Sequence, residues 1–213
     1  ASDVYKRQSL TEGRNAVLEA FRSGKTVDRL FVLDGCQDGP VKTILREAKK
    51  QDTMVQYVKK ERLDQLSETK NHQGVIAYCA ACEYAEVSDI LENAKKKGEA
   101  PFIVLLDGIE DPHNLGAIIR TANQAGAHGV IIPKRRAVGL TATVARTSAG
   151  AVNYTPVAKV TNLVTVMEDL KKEGMWFVCA DMDGEEMYSL NLKGPIGLVI
   201  GNEGEGVSRL VKE

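Results

Sequence analysis

The chain lacks the features that define several protein classes. Its charges nearly cancel, with 28 Lys and Arg against 29 Asp and Glu and a formal net charge of −1, which excludes attraction to polyanions by bulk positive charge. Four cysteines in 213 residues are too few for a disulfide framework, and they favour a reducing, cytoplasmic setting. No apolar run approaches the roughly 18 residues of a membrane span, and none near the start is long enough for a signal peptide.

The sequence does have enough apolar material for a packed core. Hydrophobic residues make up 43% of the chain and charged residues 27%, a balance that excludes global disorder. At about 150 residues per domain, the length allows one large or two small domains. Short apolar runs such as 102–106 and 196–200 alternate with stretches of helical periodicity. This alternation predicts an α/β protein whose parallel sheet is covered on both faces.

Changes in composition predict how the chain is divided. Residues 1–8 carry no apolar periodicity, and we expect them to be a non-native or disordered leader. A first α/β domain is expected at 9–82, a charged helical linker at 83–100 and a second α/β domain at 101–213. Residues 206–213 resemble the first turns of a helix without partner elements. We therefore expect the chain to be a fragment that is truncated at its carboxyl end.

Two polar, glycine-bearing segments follow buried strands, at 107–121 and 200–206. Ligands of parallel α/β sheets bind beyond the carboxyl ends of the strands. The glycine pattern G-x-x-G-x-G of Gly201, Gly204 and Gly206 matches neither the dinucleotide fingerprint nor a phosphate-binding P-loop. Glu203 and Glu205 would repel phosphate, so a neutral or cationic ligand is favoured. A plain turn is the simpler interpretation of such a loop.

Arg120 interrupts an otherwise apolar helical stripe in the first of these segments. Such a residue is costly unless it is paired or faces a polar cleft, and a structural salt bridge to Glu110 or Glu203 remains an alternative. Asn114 lies about 1.7 helical turns earlier, so the two residues share no face by periodicity alone. They can converge if Asn114 lies in or before the first turn of the helix.

Four motifs together resemble one family, the SpoU-type (TrmH-like) RNA ribose 2′-O-methyltransferases. Its first signature is matched by Asn114-x-Gly116-Ala117-Ile118-x-Arg120-Thr121-Ala122 followed by Gly126, and its second by Gly201-Asn202-Glu203-Gly204-x-Gly206. Upstream, Gly13-Arg14-Asn15-Ala16-Val17 and His72-Gln73-Gly74 resemble the substrate-binding domain of the branch that methylates a guanosine of large-subunit rRNA. The motifs occur in the family's order, and the resemblance covers nearly everything after residue 9.

The resemblance implies a SPOUT-type α/β trefoil-knot methyltransferase domain that binds S-adenosylmethionine, preceded by a small α/β/α RNA-binding domain. It also implies a homodimer with the active site near its interface. The implied catalytic residues are Asn114, Arg120 and Glu203, and the implied cofactor-binding residues are Gly201, Asn202, Gly204 and Gly206. The family's third signature, a Ser-Leu-Asn segment in the knot's tail, should follow position 213. Because the 213 residues do not include it, we expect this chain to be inactive.

RNA would have to contact local patches, because the net charge is near zero. The candidates are Lys134 and Arg135 beside the second domain's site, and Arg14, His72 and Gln73 in the first domain. A solvated basic surface is the alternative for each run. Aromatic residues are only 5% of the chain, so phosphate and shape contacts should outweigh extensive base stacking.

Two other functions remain open at this point. One is a non-catalytic RNA-binding protein with a degenerate methyltransferase domain. The other is a small nucleotide-binding enzyme on a doubly wound sheet, which the missing phosphate-loop chemistry disfavours. Cys79-Ala-Ala-Cys82 has no second pair or histidine at zinc spacing, so we expect no metal site.

Overall fold

The computed structural model describes residues 9–212 and divides the chain into two compact units. The first unit runs to Glu83 and includes the short segment Gly139–Thr143, and the second comprises Tyr84–Val138 and Val144–Glu213. The predicted leader, residues 1–8, lies outside the described residues. Within residues 9–212, no helix combines the length and apolar character that crossing a membrane requires.

The first unit is a four-stranded sheet with helices on both faces. Its elements are β1 (Ser9–Glu12), α1 (Arg14–Arg22), β2 (Val27–Leu33), α2 (Gly39–Lys50), β3 (Met54–Val58), α3 (Lys60–Leu66) and β4 (Val75–Cys79). The strand order is β1-β4-β2-β3. β2 and β3 are parallel, whereas β4 runs antiparallel to both of its neighbours. The first sheet is therefore mixed, and the fully parallel arrangement predicted from the apolar runs holds only for the second unit.

Apolar periodicity explains how this unit is layered. α1 buries Val17, Ala20 and Phe21 at helical spacing, and they share one core cluster with Ile44 of α2. On the opposite face, Leu63 of α3 belongs to a second cluster that includes further residues from β2 and β4. Because β4 is buried along its whole length, its sequence shows no alternation of polar and apolar residues.

The second unit is a five-stranded parallel sheet. Its elements are α4 (Val87–Lys97), β5 (Phe102–Asp107), α5 (Pro112–Gln124), β6 (Gly129–Pro133), α6 (Ala142–Thr147), β7 (Val157–Val160), α7 (Leu163–Lys172), β8 (Trp176–Cys179), β9 (Ile196–Gly201) and α8 (Arg209–Lys212). The first two residues of α6 belong to the first unit. The strand order is β7-β6-β5-β9-β8. From β5 the chain continues through β6 to β7 at one edge of the sheet. It then crosses to β8 at the opposite edge and returns beside β5 as β9. Such a reversal of strand order is where ligands of open α/β sheets bind.

Helix α4 changes the interpretation of the predicted linker at 83–100. The stretch was expected to be a charged helical linker, but Ile90 is fully buried and Ala94 nearly so. Ile90 packs in the same cluster as Ile103 of β5 and Leu163 of α7. From Tyr84 onward, the stretch therefore belongs to the second unit. The α/β class is confirmed, and the trefoil knot stays a prediction.

Candidate active site

The two signature loops follow strands that are hydrogen-bonded neighbours. The parallel register of β5 and β9 ends at the pair Asp107 and Gly201. The loop after β5 leads into α5, and the loop after β9 carries the glycine pattern. Two segments about ninety residues apart in the chain therefore meet at one edge of the sheet, as the parallel-sheet rule predicts.

The glycine loop is a tight, internally bonded turn. Asn202 and Gly206 exchange two backbone hydrogen bonds, of 3.0 and 2.8 Å. The Asn202 Oδ1 accepts from the backbone N–H groups of Gly204 at 2.8 Å and Glu205 at 3.3 Å. At Gly201 a Cβ would lie 2.0 Å from the carbonyl carbon of Gly206. Only glycine fits there, because the chain folds back against this residue.

Two further bonds fasten this loop to the end of β5. The Asn202 Nδ2 donates to the Gly108 carbonyl at 2.8 Å, and the Ser208 N–H donates to Asp107 Oδ2 at 2.7 Å. The Asn202 side chain, predicted to contact the cofactor, is thus used to hold the two loops together. Asp107 and Ser208 were missed as site residues. The available signal was a carboxylate directly after a buried apolar run.

The first signature's glycine has a packing role. In α5, Asp111 caps the helix by accepting from the His113 N–H at 2.6 Å, and the buried Gly116 lies one turn further on. A Cβ on Gly116 would lie 1.8 Å from Thr147 Oγ1 and 3.0 Å from the Ser148 nitrogen. Gly116 therefore permits the close approach of the α6 end, which a larger residue would push away.

The predicted catalytic side chains all face solvent. Asn114 lies in the first turn of α5, Arg120 in its second half, and Glu203 at the tip of the glycine loop. Asn114 and Glu203 thus belong to loops at the same edge of the sheet, whereas Arg120 is about 9 Å further along the helix axis. Among residues 9–212, no hydrogen bond or ion pair joins any two of the three. The alternative salt bridges from Arg120 to Glu110 or Glu203 do not form there either.

The basic loop after β6 reaches the same edge. Arg136, with a left-handed φ of 55°, pairs with Glu205 of the glycine loop, with 3.2 Å between Nη2 and Oε2. The Val138 N–H donates to the Ile109 carbonyl at 2.9 Å. Arg135 is exposed, and Lys134 is half-buried. The loops after β5, β6 and β9 therefore converge, with Arg135 available to an incoming ligand.

An apolar cavity of about 710 Å³ lies along β8 and β9. It is lined by Phe102, Val178, Cys179, Ala180, Asp181, Gly184, Glu185, Met187, Leu190, Leu192, Gly194, Ile196 and Leu198. Burial raises the pKa of the Cys179 thiol, so this cysteine reacts more slowly near pH 7 than a fully exposed thiol does. A hydrogen bond from Lys212 lowers the pKa of Asp181. The lining thus offers carboxylates and apolar surface, and it contains no lysine or arginine from the part of the chain that the structure describes.

In the first unit, the structure brings two of the three predicted RNA-binding residues together. The Arg14 Nε donates to the Gln73 carbonyl at 3.1 Å, and the Arg14 backbone N–H donates to Gln73 Oε1 at 3.1 Å. His72 is different, because it is only 7% exposed. Its Nε2 bonds to Asp64 Oδ1 at 2.9 Å, and its Nδ1 accepts from the Gly74 N–H at 3.0 Å. Both ring nitrogens are engaged, so His72 braces the turn and has no free group for RNA.

No cluster of three or more potential metal ligands occurs within residues 9–212. The second domain matches the model of the SpoU rRNA Methylase family over residues 101–213. The first matches the model of RNA 2′-O ribose methyltransferase substrate binding over residues 10–85. The chain belongs to the SpoU rRNA methylase family. The resemblance drawn from the four motifs is confirmed at the level of the SpoU/TrmH RNA methyltransferase family, and the guanosine-methylating branch stays a prediction.

Relatives of this SpoU-family chain include two proteins named for the TrmH family of tRNA/rRNA methyltransferases. YacO of Bacillus subtilis is 48% identical over 203 residues, covering 94% of this chain and 81% of the relative. The protein of Staphylococcus haemolyticus is 45% identical, with the same coverage.

Two solved structures are similar in fold. The SpoU methyltransferase AviRb from Streptomyces viridochromogenes, in complex with AdoMet, has a TM-score of 0.55 and 23% identity, covering 97% of this chain and 77% of that one. An AdoMet-bound rRNA methyltransferase from Sinorhizobium meliloti has a TM-score of 0.53 and 24% identity, with 97% and 76% coverage.

Proposed function

We propose that this protein, expressed from its complete natural gene, transfers a methyl group from S-adenosylmethionine to the 2′-hydroxyl of an RNA ribose, and that its target is a guanosine of large-subunit rRNA. The observation that carries the proposal is the convergence of the loops after β5, β6 and β9, which hold Asn114, Arg135 and Glu203. The family models matched by both units support an RNA substrate. The AdoMet bound to two proteins of similar fold supports the cofactor.

The residues at the ends of β8 and β9 fit this cofactor. S-adenosylmethionine supplies an electrophilic methyl group on a sulfonium cation. The apolar cavity can bury uncharged surface, and the Glu185 carboxylate in its lining favours a positive charge, whereas the charge of Asp181 is balanced by Lys212. Gly201, Gly204 and Gly206 let the backbone of the neighbouring loop approach a ligand closely. Asn202 keeps that loop in shape through its three side-chain hydrogen bonds.

In the reaction, a bond forms between the ribose oxygen and the methyl carbon as the bond from that carbon to sulfur breaks, with S-adenosylhomocysteine as the leaving group, and the hydroxyl proton is released to solvent. The hydroxyl must therefore be aligned with the methyl group, and the negative charge that develops on its oxygen must be stabilised. We assign Arg120 to the developing alkoxide, because a guanidinium stays protonated in proteins and cannot serve as a base. Preorganised positive charge at such an oxygen is among the larger contributions to catalysis. Asn114 and Glu203 would position the reacting groups, which also accelerates the reaction.

We also propose a cytoplasmic homodimer whose active site lies at the interface. Asn114, Ala117 and Arg120 are all exposed on α5. Within residues 9–212, Arg120 contacts neither Asn114 nor Glu203 through a hydrogen bond or ion pair. A second copy docking against the exposed side of α5 that carries Arg120 would enclose this residue and remove it from bulk water. Within such an interface the charge of Arg120 would lie in a medium of lower dielectric constant, where its interaction with a negatively charged oxygen is stronger.

The decisive variant is Arg120→Ala, made in the protein expressed from its complete natural gene. Loss of charge stabilisation should lower the single-turnover rate of methyl transfer by about 10²–10³-fold. The affinity for S-adenosylmethionine, measured by calorimetry, should change by less than about twofold, because the contact forms only in the transition state. Gln124→Ala, an exposed change on the same helix, is the matched control.

Three outcomes would contradict parts of this proposal. A parallel loss of cofactor affinity in Arg120→Ala would assign the arginine to the cofactor pocket. Undiminished transfer would remove it from the reaction. Tight RNA binding by the unaltered protein without any transfer would favour the non-catalytic RNA-binding function instead.

A further inference from the structure

A second cavity, of about 530 Å³, opens on the first unit. Its size falls within the range of about 300–1,000 Å³ that is typical of small-ligand sites. It is lined by Arg14, Asn15, Leu33, Cys36, Pro40, Gln73 and Gly74. All of these residues lie within the segment 10–85 that matches the substrate-binding family model.

The wall formed by the turn before β4 is held in an unusual conformation. Gln73 has a left-handed φ of 50°, and Gly74 follows with 84°. A non-glycine residue keeps such a φ only where its surroundings hold it there. Here the Gly74 N–H donates to the buried His72 ring, and the Gln73 Oε1 accepts from the Arg14 backbone N–H. The shape of the cavity is therefore preformed.

The charge of the cavity is balanced. Among the described residues that line the cavity, Arg14 is the one that is charged, and its Nη2 lies 2.5 Å from Asp38 Oδ2. Asp38 is itself fixed, since its Oδ1 accepts from the Val41 N–H at 3.1 Å as the cap of α2. Because Asp38 cancels the charge of Arg14, a phosphate gains little net attraction here. The guanidinium, held from two sides, instead presents a fixed plane on which a base can stack.

The remaining lining suits an uncharged, planar ligand with a polar edge. Leu33, Pro40 and Cys36 supply apolar surface. Asn15 is exposed, and no other group within residues 9–212 forms a hydrogen bond with its side-chain amide. This amide offers one acceptor oxygen and two N–H donors. An asparagine amide can pair with the edge of a base through two hydrogen bonds.

We infer that this cavity binds one unpaired nucleobase of the RNA substrate, with Asn15 bonding its edge and Arg14 stacking on its face. The inference rests on the proposed function, because it assumes an RNA substrate. It gives the first unit a role beyond general attraction to RNA. One splayed-out base would dock in a preformed site while the ribose target lies elsewhere in the same RNA.

Cys36 allows the site to be observed directly, because its thiol lines the cavity and is partly exposed. The probes are single-stranded RNA decamers of each base and an abasic decamer with the same phosphates. We measure the rate of iodoacetamide labelling at Cys36 by peptide mass spectrometry, with Cys179 as the internal control, and the affinity by fluorescence anisotropy. At least one base-bearing decamer should slow labelling of Cys36 but not of Cys179. It should also bind about tenfold more tightly than the abasic decamer, which corresponds to about 1.4 kcal/mol.

Asn15→Ala should abolish both the protection of Cys36 and the advantage over the abasic decamer. Gln56→Ala, an exposed amide on β3 of the same unit, should leave both intact, and circular dichroism checks that each variant is folded. If the abasic decamer protected Cys36 from labelling as well as the base-bearing decamers do, the cavity would be a phosphate site and the inference would be overturned. Bound RNA that leaves Cys36 labelling unchanged would overturn it too. The assay needs no cofactor, so a protein that protects Cys36 but transfers no methyl group would contradict only the proposed function.

Discussion

Replacing Gly116 with alanine tests whether the first signature's glycine is there for packing. The new Cβ would lie 1.8 Å from Thr147 Oγ1 and 2.8 Å from Thr147 Cβ. Alanine's better helix propensity would add about 1 kcal/mol of stability, and overpacking of a tight contact costs about 1–3 kcal/mol. Because both side-chain and backbone atoms must move, we expect the upper end of that cost. The free energy of unfolding of the second unit should fall by about 2 kcal/mol, to be measured by urea denaturation.

Trp176 makes this measurement specific, since it is the only tryptophan and lies in β8 of the second unit. Ala117→Gly, at an exposed neighbouring position in α5, calibrates the propensity term and should cost about 1 kcal/mol. Combining Gly116→Ala with Thr147→Gly should recover about 1 kcal/mol relative to the sum of the single changes, because the colliding side chain is removed. A Gly116→Ala protein as stable as the original, or strict additivity in the double variant, would refute the packing role.

Three further predictions concern the loops and the first unit. Asp107→Ala leaves the Ser208 N–H without its acceptor. The free energy of unfolding of the second unit, followed by Trp176 fluorescence, should therefore fall by about 1–2 kcal/mol, and S-adenosylmethionine should bind more weakly. Unchanged stability and affinity would show that Asp107 does not fasten the glycine loop to β5. Burial opposes ionisation of Glu12, but hydrogen bonds from residues 67–69 outweigh it and lower its pKa. The stability that Glu12 adds is therefore lost as the pH falls below the ordinary 4.5. Glu12→Gln should lack this acid-dependent part in urea titrations, and identical pH profiles would refute it. Arg135→Ala should lower the slope of log K against log salt for RNA binding by about one, whereas an unchanged slope would exclude a phosphate contact.

Much of the fold could be predicted from local sequence patterns, and the predictions that were wrong or missing have physical causes. The apolar runs at 102–106 and 196–200 identify β5 and β9 because strands covered on both faces need no polar alternation. The same signal says nothing of direction, so the antiparallel β4 was not foreseen. The four-residue strand β1 is too short to show a period. In α4, exposed charges concealed a buried stripe through Ile90.

The sequence could predict which loops form the site, but not the hydrogen bonds that the residues of these loops make. The rule for parallel sheets brings the two signature loops together, and the pair Asp107 and Gly201 shows how closely. Hydrogen bonds between distant segments, such as that from Ser208 to Asp107, depend on backbone positions that no spacing in the sequence encodes. Burial decides the role of His72 in the same way. The sequence motif around a histidine is the same whether its side chain faces RNA or stabilises a turn.

Transfer to a ribose hydroxyl is distinguished from methylation of a base by the position of the methyl group in the product. Large-subunit rRNA transcribed in vitro is incubated with radiolabelled S-adenosylmethionine and the protein from its complete natural gene, and then digested with alkali. A 2′-O-methyl group blocks cleavage of the adjoining phosphodiester, so we expect label in an alkali-resistant dinucleotide that begins with guanosine. Label recovered in single nucleotides would place the methyl group on a base and contradict transfer to the ribose.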